Sequence, residues 1–167
     1  FQLALLAGWN FITAPMTLLS GSNTASIFSS VESDGHSILT YDGHSWIPVR
    51  KDDKIQPLYG YWIYSKKPLT IPLYYEPVTG IAERTVLPGW NCIGTPGRNL
   101  ISARAAMASL TDHWVYLYGF SSALQRYDDV IIRGSSGSSG DERMIRPGAG
   151  YWLFMEKEGI LRGFSPE

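Results

Sequence analysis

The sequence predicts an α+β, mainly β protein made of two tandem pseudo-symmetric units, each with one strand, a short helix and four strands in hairpins. Two repeated motifs carry this prediction. The segment Leu5–Pro15 (LLAGWNFITAP) returns as Val86–Pro96 (VLPGWNCIGTP), 81 positions later (86 minus 5). The segment Pro57–Tyr64 (PLYGYWIY) returns as Pro147–Phe154 (PGAGYWLF). Two motifs repeated in the same order indicate a tandem duplication.

The composition agrees with a β-rich class and limits the classes of partner. Of 167 residues, 13% are aromatic, and Gly and Pro number 27 (17 plus 10), which favours short strands and many turns. The net charge is only −1, so we predict no nucleic-acid partner. No apolar run approaches the roughly 20 residues of a membrane span, so none is predicted in this fragment. Because the chain begins at Phe1 without Met, we expect a piece of a longer protein.

The first predicted unit covers residues 1–78. Gly8 interrupts an apolar stretch and predicts a bend, a bulge or a close approach of the backbone there. Asp42-Gly43 lies between two β-rich runs and is a strong hairpin signal. In chain order, we expect one or two strands within 1–12, an amphipathic helix at 24–31, a hairpin over 37–49, and strands at 60–64 and 69–73 that form a second hairpin.

The second predicted unit covers residues 79–167 and repeats this order. Ser102 is a candidate N-cap for its helix, and Pro77–Gly80 is the predicted junction between the units. The expected elements are a helix that ends near 110, then strands at 114–118, 125–132, 150–154 and 159–164.

The run Gly134–Gly140 (GSSGSSG) interrupts the second unit. Its composition is that of a flexible linker, and the heptad resembles linkers introduced by protein engineering. Trp9 and Trp62 are 53 positions apart (62 minus 9), whereas Trp90 and Trp152 are 62 apart (152 minus 90). We therefore expect the run to replace a native insertion; a natural Gly/Ser loop is the alternative.

No residue pattern indicates catalysis. The single Cys92 excludes an internal disulfide, and its apolar surroundings predict a buried thiol. The adjacent carboxylates at 52–53 and 128–129 would point to opposite faces of a strand. His36 and His44 lack the spacing of compact metal ligands, and we expect them in exposed turns. The sequence thus predicts no catalytic residue, no metal site and no cofactor.

The aromatic residues are divided between two predicted roles. Those within the repeated motifs are expected to be structural, with Trp9 and Trp90 in the core: Trp9, Trp90, Trp62 and Trp152. Those near turns or strand ends are candidates for stacking on a sugar or anchoring a protein partner: Tyr41, Trp46, Tyr59, Tyr118 and Phe120. The alternative for the second group is that these rings line the contact between the two repeats.

With both motifs in view, the chain resembles the G-W-N…P and P-G-x-G-Y-W repeats of bacterial and archaeal extracellular or surface-layer-associated proteins. The resemblance spans nearly all of both units but rests on few positions. The first unit has Leu58-Tyr59 where the second has Gly148-Ala149. The segment 57–62 of the first unit therefore departs from the P-G-x-G-Y-W pattern. The resemblance implies an accessory or scaffold role and carries over no catalytic residue.

The function predicted first is a noncatalytic structural or adhesion module of an extracellular or cell-surface protein. Its expected partners are a protein or a glycan at a surface, together with neighbouring domains of the same native chain. An enzyme, or an accessory domain of an enzyme, acting on polysaccharide or protein is the second hypothesis. A carbohydrate-binding module that uses exposed aromatic rings is the third. A deep cleft with titratable groups favours an enzyme, whereas aromatic platforms without such groups favour binding.

Overall fold

The computed structural model describes residues 1–77 and 80–164, and these residues form a mainly β structure with sixteen short strands and one α-helix. The predicted boundary between the units, at residues 78 and 79, and the last three residues, 165–167, lie outside the described residues. Below, residues 1–77 are called the first half and residues 80–164 the second half.

The first half contains two antiparallel sheets. Their strands are β1 (Gln2–Leu5), β2 (Gly8–Ile12), β3 (Ile38–Tyr41), β4 (Trp46–Val49), β5 (Tyr61–Ser65) and β6 (Leu69–Pro72). One sheet has four strands in the order β2-β5-β3-β4, and the other pairs β1 with β6.

The second half has a four-stranded antiparallel sheet and three two-stranded ones. Its strands and helix are β7 (Glu83–Val86), β8 (Gly89–Gly94), β9 (Ile101–Ser102), α1 (Ala103–Ala106), β10 (Trp114–Tyr118), β11 (Phe120–Ser121), β12 (Arg126–Tyr127), β13 (Ile131–Ile132), β14 (Met144–Ile145), β15 (Gly150–Met155) and β16 (Gly159–Arg162). The four-stranded order is β13-β10-β15-β8, and the pairs are β7 with β16, β9 with β14, and β11 with β12.

The two predicted helices have different outcomes. In the second half, Ser102 caps α1 as expected, because its Oγ accepts a hydrogen bond from the Ala105 N–H at 3.3 Å. The predicted end near 110 is wrong, since α1 ends at Ala106 and a separate 3-10 helix covers Ala108–Leu110. In the first half the prediction of a helix over 24–31 is wrong, since only a short 3-10 helix, Ala25–Phe28, forms there. The Thr24 hydroxyl contacts the Ser26 hydroxyl at 2.7 Å instead of capping the backbone. Side-chain bonding of this local kind competes with helix formation.

The predicted hairpin over Asp42-Gly43 is confirmed by the pairing of β3 with β4. The Asp42 Oδ1 accepts hydrogen bonds from the N–H groups of His44 at 2.7 Å and Ser45 at 2.8 Å, and Gly43 has φ +99°. These contacts lower the pKa of the Asp42 carboxyl, because the two N–H groups stabilise the ionised form. The carboxylate therefore belongs to the turn.

The predicted second hairpin is wrong, because β6 pairs with β1 and not with β5. In this pairing Ile71 lies opposite Leu3. Both side chains belong to a buried cluster that also contains Leu5. Burial of the apolar side chains of β6 against β1 decides the pairing, because the removal of apolar surface from water makes the largest favourable contribution to the free energy of folding. The second half repeats the arrangement, with β16 on β7.

The described residues form three buried clusters that make up the core. One consists of residues of the first half alone, and another of residues of the second half plus Leu58. The third joins the halves, with Phe11 and Trp62 packed against Cys92. The predicted burial of Cys92 is confirmed, and burial raises the pKa of its thiol to about 12. The thiol is therefore protonated at neutral pH.

The halves meet through a reciprocal pair of backbone contacts. Ile12 forms an isolated bridge with Ala149, and Ile93 forms one with Tyr59. The repeated segment 147–154 of the second half thus pairs with the end of β2, and the segment 57–64 of the first half pairs with β8. This contact leaves no space for a side chain at Gly94, because an added Cβ would lie 1.9 Å from the Thr13 Oγ1.

Arg84 is a buried cation at the same contact. Its Nη1 donates hydrogen bonds to the Leu58 carbonyl at 3.0 Å and to the Cys92 carbonyl at 2.6 Å. The guanidinium carbon lies 4.0 Å from the centre of the Tyr59 ring. Burial lowers the pKa of Arg84, and the carbonyls and the ring face supply the negative potential that an acidic partner would otherwise give. Arg84 therefore ties both halves together.

The Gly134–Gly140 run forms a turn that includes a 3-10 helix, Gly137–Ser139. Its two ends are joined by Asp141, whose Oδ2 accepts a hydrogen bond from the Gly134 N–H at 2.8 Å. The Arg143 guanidinium also donates to the Ser138 carbonyl at 3.1 Å. The replacement of a native insertion by this run stays a prediction.

Candidate ligand-binding groove

Two adjacent clefts lie on one surface and share the side chains of Trp46 and Tyr127. The first, of about 480 Å³, is lined by Tyr41, Trp46, Trp90, Tyr118, Tyr127 and Trp152. The second, of about 340 Å³, is lined by Trp9, Leu39, Trp46, Trp62, Phe120, Gln125 and Tyr127. Together these residues define the aromatic groove. Both halves contribute to each cleft.

Strand pairing places the rings of the groove. In the β3–β4 hairpin Tyr41 lies opposite Trp46, and in the β11–β12 pair Phe120 lies opposite Tyr127. In the main sheet of the second half, Tyr118 lies opposite Trp152. Directly opposite residues in an antiparallel pair have side chains on the same face. The pairs therefore bring their rings to one surface.

The rings meet edge to face and form a ridged surface. The Trp46 and Trp152 rings have centroids 5.6 Å apart and an interplanar angle of 88°. Tyr41 meets Trp46 at 62°, and Phe120 meets Tyr127 at 78°. Aromatic pairs favour this geometry because the positive edge of one ring faces the negative face of the other. The groove is thus not a flat platform but a row of slots between rings.

Two polar side chains of the groove already accept a hydrogen bond. The Tyr127 hydroxyl oxygen accepts a hydrogen bond from the Trp152 Nε1 at 3.2 Å. The Gln125 Oε1 accepts one from the Trp9 N–H at 2.8 Å, and its Nε2 donates to the Trp9 carbonyl at 2.9 Å. Gln125, which lines the second cleft, is therefore hydrogen-bonded to strand β2.

Several donor groups of the groove make no hydrogen bond within the described residues. These are the indole N–H groups of Trp9, Trp46 and Trp90 and the hydroxyls of Tyr41 and Tyr118. The Trp62 Nε1 is buried without a partner as well. An indole N–H is only a donor, and a tyrosine hydroxyl is a donor and an acceptor. Within the part of the chain that the structure describes, no Asp, Glu, Lys, Arg or His lines either cleft. The groove therefore presents apolar rings and hydrogen-bond donors without charge.

Of the five residues predicted to contact a partner, the structure brings four into the groove and leaves one out. Tyr41, Trp46, Tyr118 and Phe120 line it. Tyr59 does not, because its ring is covered by the Arg84 guanidinium and its backbone pairs with Ile93. Its position before the G-Y-W motif places it at the contact between the halves.

The four tryptophans predicted to be structural all line the groove. Trp62 is buried, stacked on Phe11 at 4.2 Å, and Trp9 and Trp152 are half-buried. The prediction that Trp90 packs in the core is wrong, since this residue is 39% exposed. Successive side chains of a strand alternate between faces, and in β8 the buried neighbour of Trp90 is Asn91.

Tyr127, Leu39 and Gln125 belong to the groove but were not predicted as site residues. A signal for Tyr127 exists in the sequence: it follows Phe120 in the second half as Trp46 follows Tyr41 in the first, on the opposite arm of a β-ribbon. Gln125 gives no such signal, because its partner Trp9 is 116 positions away.

Within residues 1–77 and 80–164, no cluster of three His, Cys, Asp or Glu side chains is arranged to hold a metal ion. The same residues include no helix with the length and apolar character needed to cross a membrane. Comparison with known protein families, curated proteins and solved structures gave no match.

Proposed function

We propose that this chain is a noncatalytic interaction module that binds an uncharged ligand along the aromatic groove. One observation carries the proposal: two adjoining clefts are lined mainly by aromatic rings, and no acidic or basic side chain of the described residues lines them. Aromatic anchors in concave sites dominate the energy of recognition. The enzyme hypothesis gains no support there, because the lining residues include no carboxylate, imidazole or thiol.

Exposure of the rings supports a binding role over a purely structural one. Trp46 and Tyr127 are each 51% exposed. Contiguous exposed apolar surface in a folded protein marks an interaction site or a ligand groove. Rings that only joined the halves would be covered on all sides, as Phe11 is.

The proposal includes a tandem duplication as the origin of the groove. In each half the first strand pairs with the last, and the G-W-N strand pairs with the G-Y-W strand. Matched positions then fall in matched clefts: Trp90 and Trp152 line one, and Trp9 and Trp62 line the other. A pseudo-twofold arrangement of two copies accounts for a groove with two similar ends.

We also propose that the module belongs to an extracellular or cell-surface protein, where its partner is a protein or a glycan. The support is the likeness of the G-W-N and G-Y-W motifs to repeats of such proteins. In that setting the module adds adhesion or assembly to neighbouring domains of the same chain.

A panel of soluble uncharged oligosaccharides and peptides tests the proposed function. Binding is measured by isothermal titration calorimetry on the native protein and on Trp46→Ala, with Tyr74→Ala as the control, because Tyr74 is 59% exposed and lies outside both clefts. We expect at least one probe to bind, to lose about tenfold or more in affinity in Trp46→Ala, and to be recovered chemically unchanged. Absence of any groove-dependent binding, or chemical conversion of the probe, contradicts the proposal.

A further inference from the structure

We propose that the occupant of the aromatic groove is an extended, proline-rich segment of a partner protein in the polyproline II conformation. This rests on the proposed function and names the ligand of the same site. Three features of the groove carry it: its hydrogen-bond donors, the angles between its rings, and its lack of charge.

Donor and acceptor groups of the groove complement a chain of prolines. Among the described residues, the groups without a partner are the indole N–H groups of Trp9, Trp46 and Trp90 and the hydroxyls of Tyr41 and Tyr118. Proline has a backbone carbonyl but no N–H, so a proline-rich segment brings acceptors and few donors. Each indole N–H then meets a ligand carbonyl, and no ligand donor is left unpaired.

A glycan fits the same surface less well. Every sugar hydroxyl is both a donor and an acceptor, and burial of a donor without a partner costs about 1–3 kcal/mol. The strongest neutral acceptor of the groove, the Gln125 Oε1, already accepts from the Trp9 N–H, and the Tyr127 hydroxyl oxygen accepts from Trp152. Among the described lining residues, the side-chain acceptors that make no hydrogen bond are the hydroxyls of Tyr41 and Tyr118, which are fewer than the hydroxyl donors of a sugar chain.

Ring geometry separates the two ligands in a second way. Trp46 and Trp152 are nearly perpendicular, at 88°, and Tyr41 meets Trp152 at 67°. Perpendicular rings give slots that accept the small pyrrolidine ring, whereas a broad sugar chain stacks on flat platforms. Aromatic-lined grooves are the usual receptors of polyproline II segments, whose conformation exists before binding and so costs little entropy.

The two clefts in series fit a ligand with a repeated ring. They share Trp46 and Tyr127 as a common wall, so a single extended chain passes from one cleft to the other. A polyproline II helix advances about 3.1 Å per residue with three residues per turn, and it presents rings at regular intervals along its length. The lack of charged lining residues fits a segment without charged side chains.

Decaproline, a glycine–serine decapeptide and cellohexaose are the probes of the test, each titrated into the native protein with tryptophan fluorescence and calorimetry as readouts. We expect decaproline to bind and the other two not to. Trp46→Ala is expected to weaken decaproline binding about tenfold or more, whereas Tyr74→Ala leaves it unchanged. Circular dichroism establishes that each variant is folded.

A hydroxyl-deletion variant tests the donor argument independently. Tyr41→Phe with Tyr118→Phe keeps both rings and removes two free hydroxyls, and we expect decaproline affinity to fall about three- to tenfold, as for the loss of one or two hydrogen bonds. Unchanged affinity would remove the donor–acceptor match on which the proposal rests.

The outcomes separate this inference from the proposed function. Groove-dependent binding of cellohexaose without binding of decaproline overturns the proline-rich ligand and leaves the interaction module intact. Decaproline binding that Trp46→Ala does not weaken overturns the site. Absence of decaproline binding at millimolar concentration overturns the inference, and the wider panel of uncharged probes then decides on the proposed function.

Discussion

Asn10 and Asn91 are buried side chains, 81 positions apart (91 minus 10), that make the same three hydrogen bonds. The Asn10 Oδ1 accepts from the Leu6 N–H at 2.9 Å, and its Nδ2 donates to the carbonyls of Leu6 at 2.9 Å and Gly8 at 3.0 Å. Asn91 makes the corresponding bonds to residues 87 and 89, at 2.9, 2.7 and 3.2 Å.

This relationship explains why the repeated motif contains Gly and Asn. The glycines have φ of +100° at Gly8 and +91° at Gly89, a region that residues with a Cβ rarely adopt. The asparagine amide satisfies the backbone groups that the turn withdraws from sheet pairing. The tryptophan between them is free to point to the opposite face.

The first prediction concerns this asparagine. Asn91→Ala should lower the free energy of unfolding by about 2–3 kcal/mol, because it leaves buried backbone groups without partners. Asn23→Ala is the matched control, since the Asn23 Oδ1 meets only the exposed Lys54 ammonium, and it should change stability by less than about 0.5 kcal/mol. Urea denaturation measures both. Equal effects of the two substitutions would contradict a structural role for the Asn91 amide.

The second prediction separates the tryptophans by burial. Trp114 is 2% exposed and Trp90 is 39% exposed. Trp114→Ala should cost about 3–5 kcal/mol, the usual range for a buried aromatic. Trp90→Ala should cost only about 1–2 kcal/mol, because less of its surface leaves water on folding. Thermal and urea unfolding of the two variants give the comparison, and similar losses would refute the groove-lining position of Trp90.

The third prediction tests the close approach of the two halves. Gly94→Ala places a Cβ within 2.5 Å of the Thr13 Cβ, and Thr13 is held because its hydroxyl donates to the Tyr59 carbonyl at 2.7 Å. We expect a loss of about 2–3 kcal/mol from overpacking. Gly163→Ala is the control, because the nearest atom to its added Cβ is at 3.6 Å. If Gly94→Ala unfolds at the same denaturant concentration as the control, the halves do not meet at Thr13.

The fourth prediction is a dependence of stability on pH at Asp141. The Arg104 side chain donates to its carboxylate at 2.7 and 3.1 Å, and these bonds, with the Gly134 N–H, lower the pKa of Asp141. A carboxyl whose pKa is lower in the folded state stabilises the protein above its unfolded pKa of about 3.9, and that stability is lost as the pH falls through the folded pKa.

We therefore expect Asp141→Asn to be less stable than the native protein at pH 7 and to lose less stability between about pH 5 and pH 2. Glu142→Gln is the control, because Glu142 pairs with the same arginine but is mostly exposed, and exposed pairs contribute about 0–1 kcal/mol. Denaturation midpoints across that pH range measure the effect. Parallel pH profiles of Asp141→Asn and the native protein would show that the carboxylate is not the acid-sensitive group.

Local chemistry accounts for the parts of the fold that were predicted correctly. The Asp42-Gly43 hairpin, the bend at Gly8 and the Ser102 cap each depend on a few neighbouring residues. The second hairpin was predicted wrongly because β6 pairs with β1, a strand more than sixty positions away. Adjacency in sequence is only a guide to pairing, and apolar contacts with β1 outweighed it.

The candidate site was predicted in part, for a related reason. Alternation along a strand tells which side chains share a face, but not which of the two faces another element covers. Trp90 and Asn91 are neighbours on opposite faces, and the hydrophobicity of tryptophan suggested burial of the face that is in fact open. The covered face holds the asparagine because its amide completes the turn.

The sequence by itself determined the repeated motifs, the turns and most strand positions, because these depend on backbone preferences and bonds within a few residues. Only the tertiary structure decided where the aromatic rings lie. Trp46 and Trp152 are 106 positions apart (152 minus 46), yet their rings are 5.6 Å apart in one groove. That proximity arises from the packing of the two halves, since burial is a property of the surfaces that meet and not of any single segment.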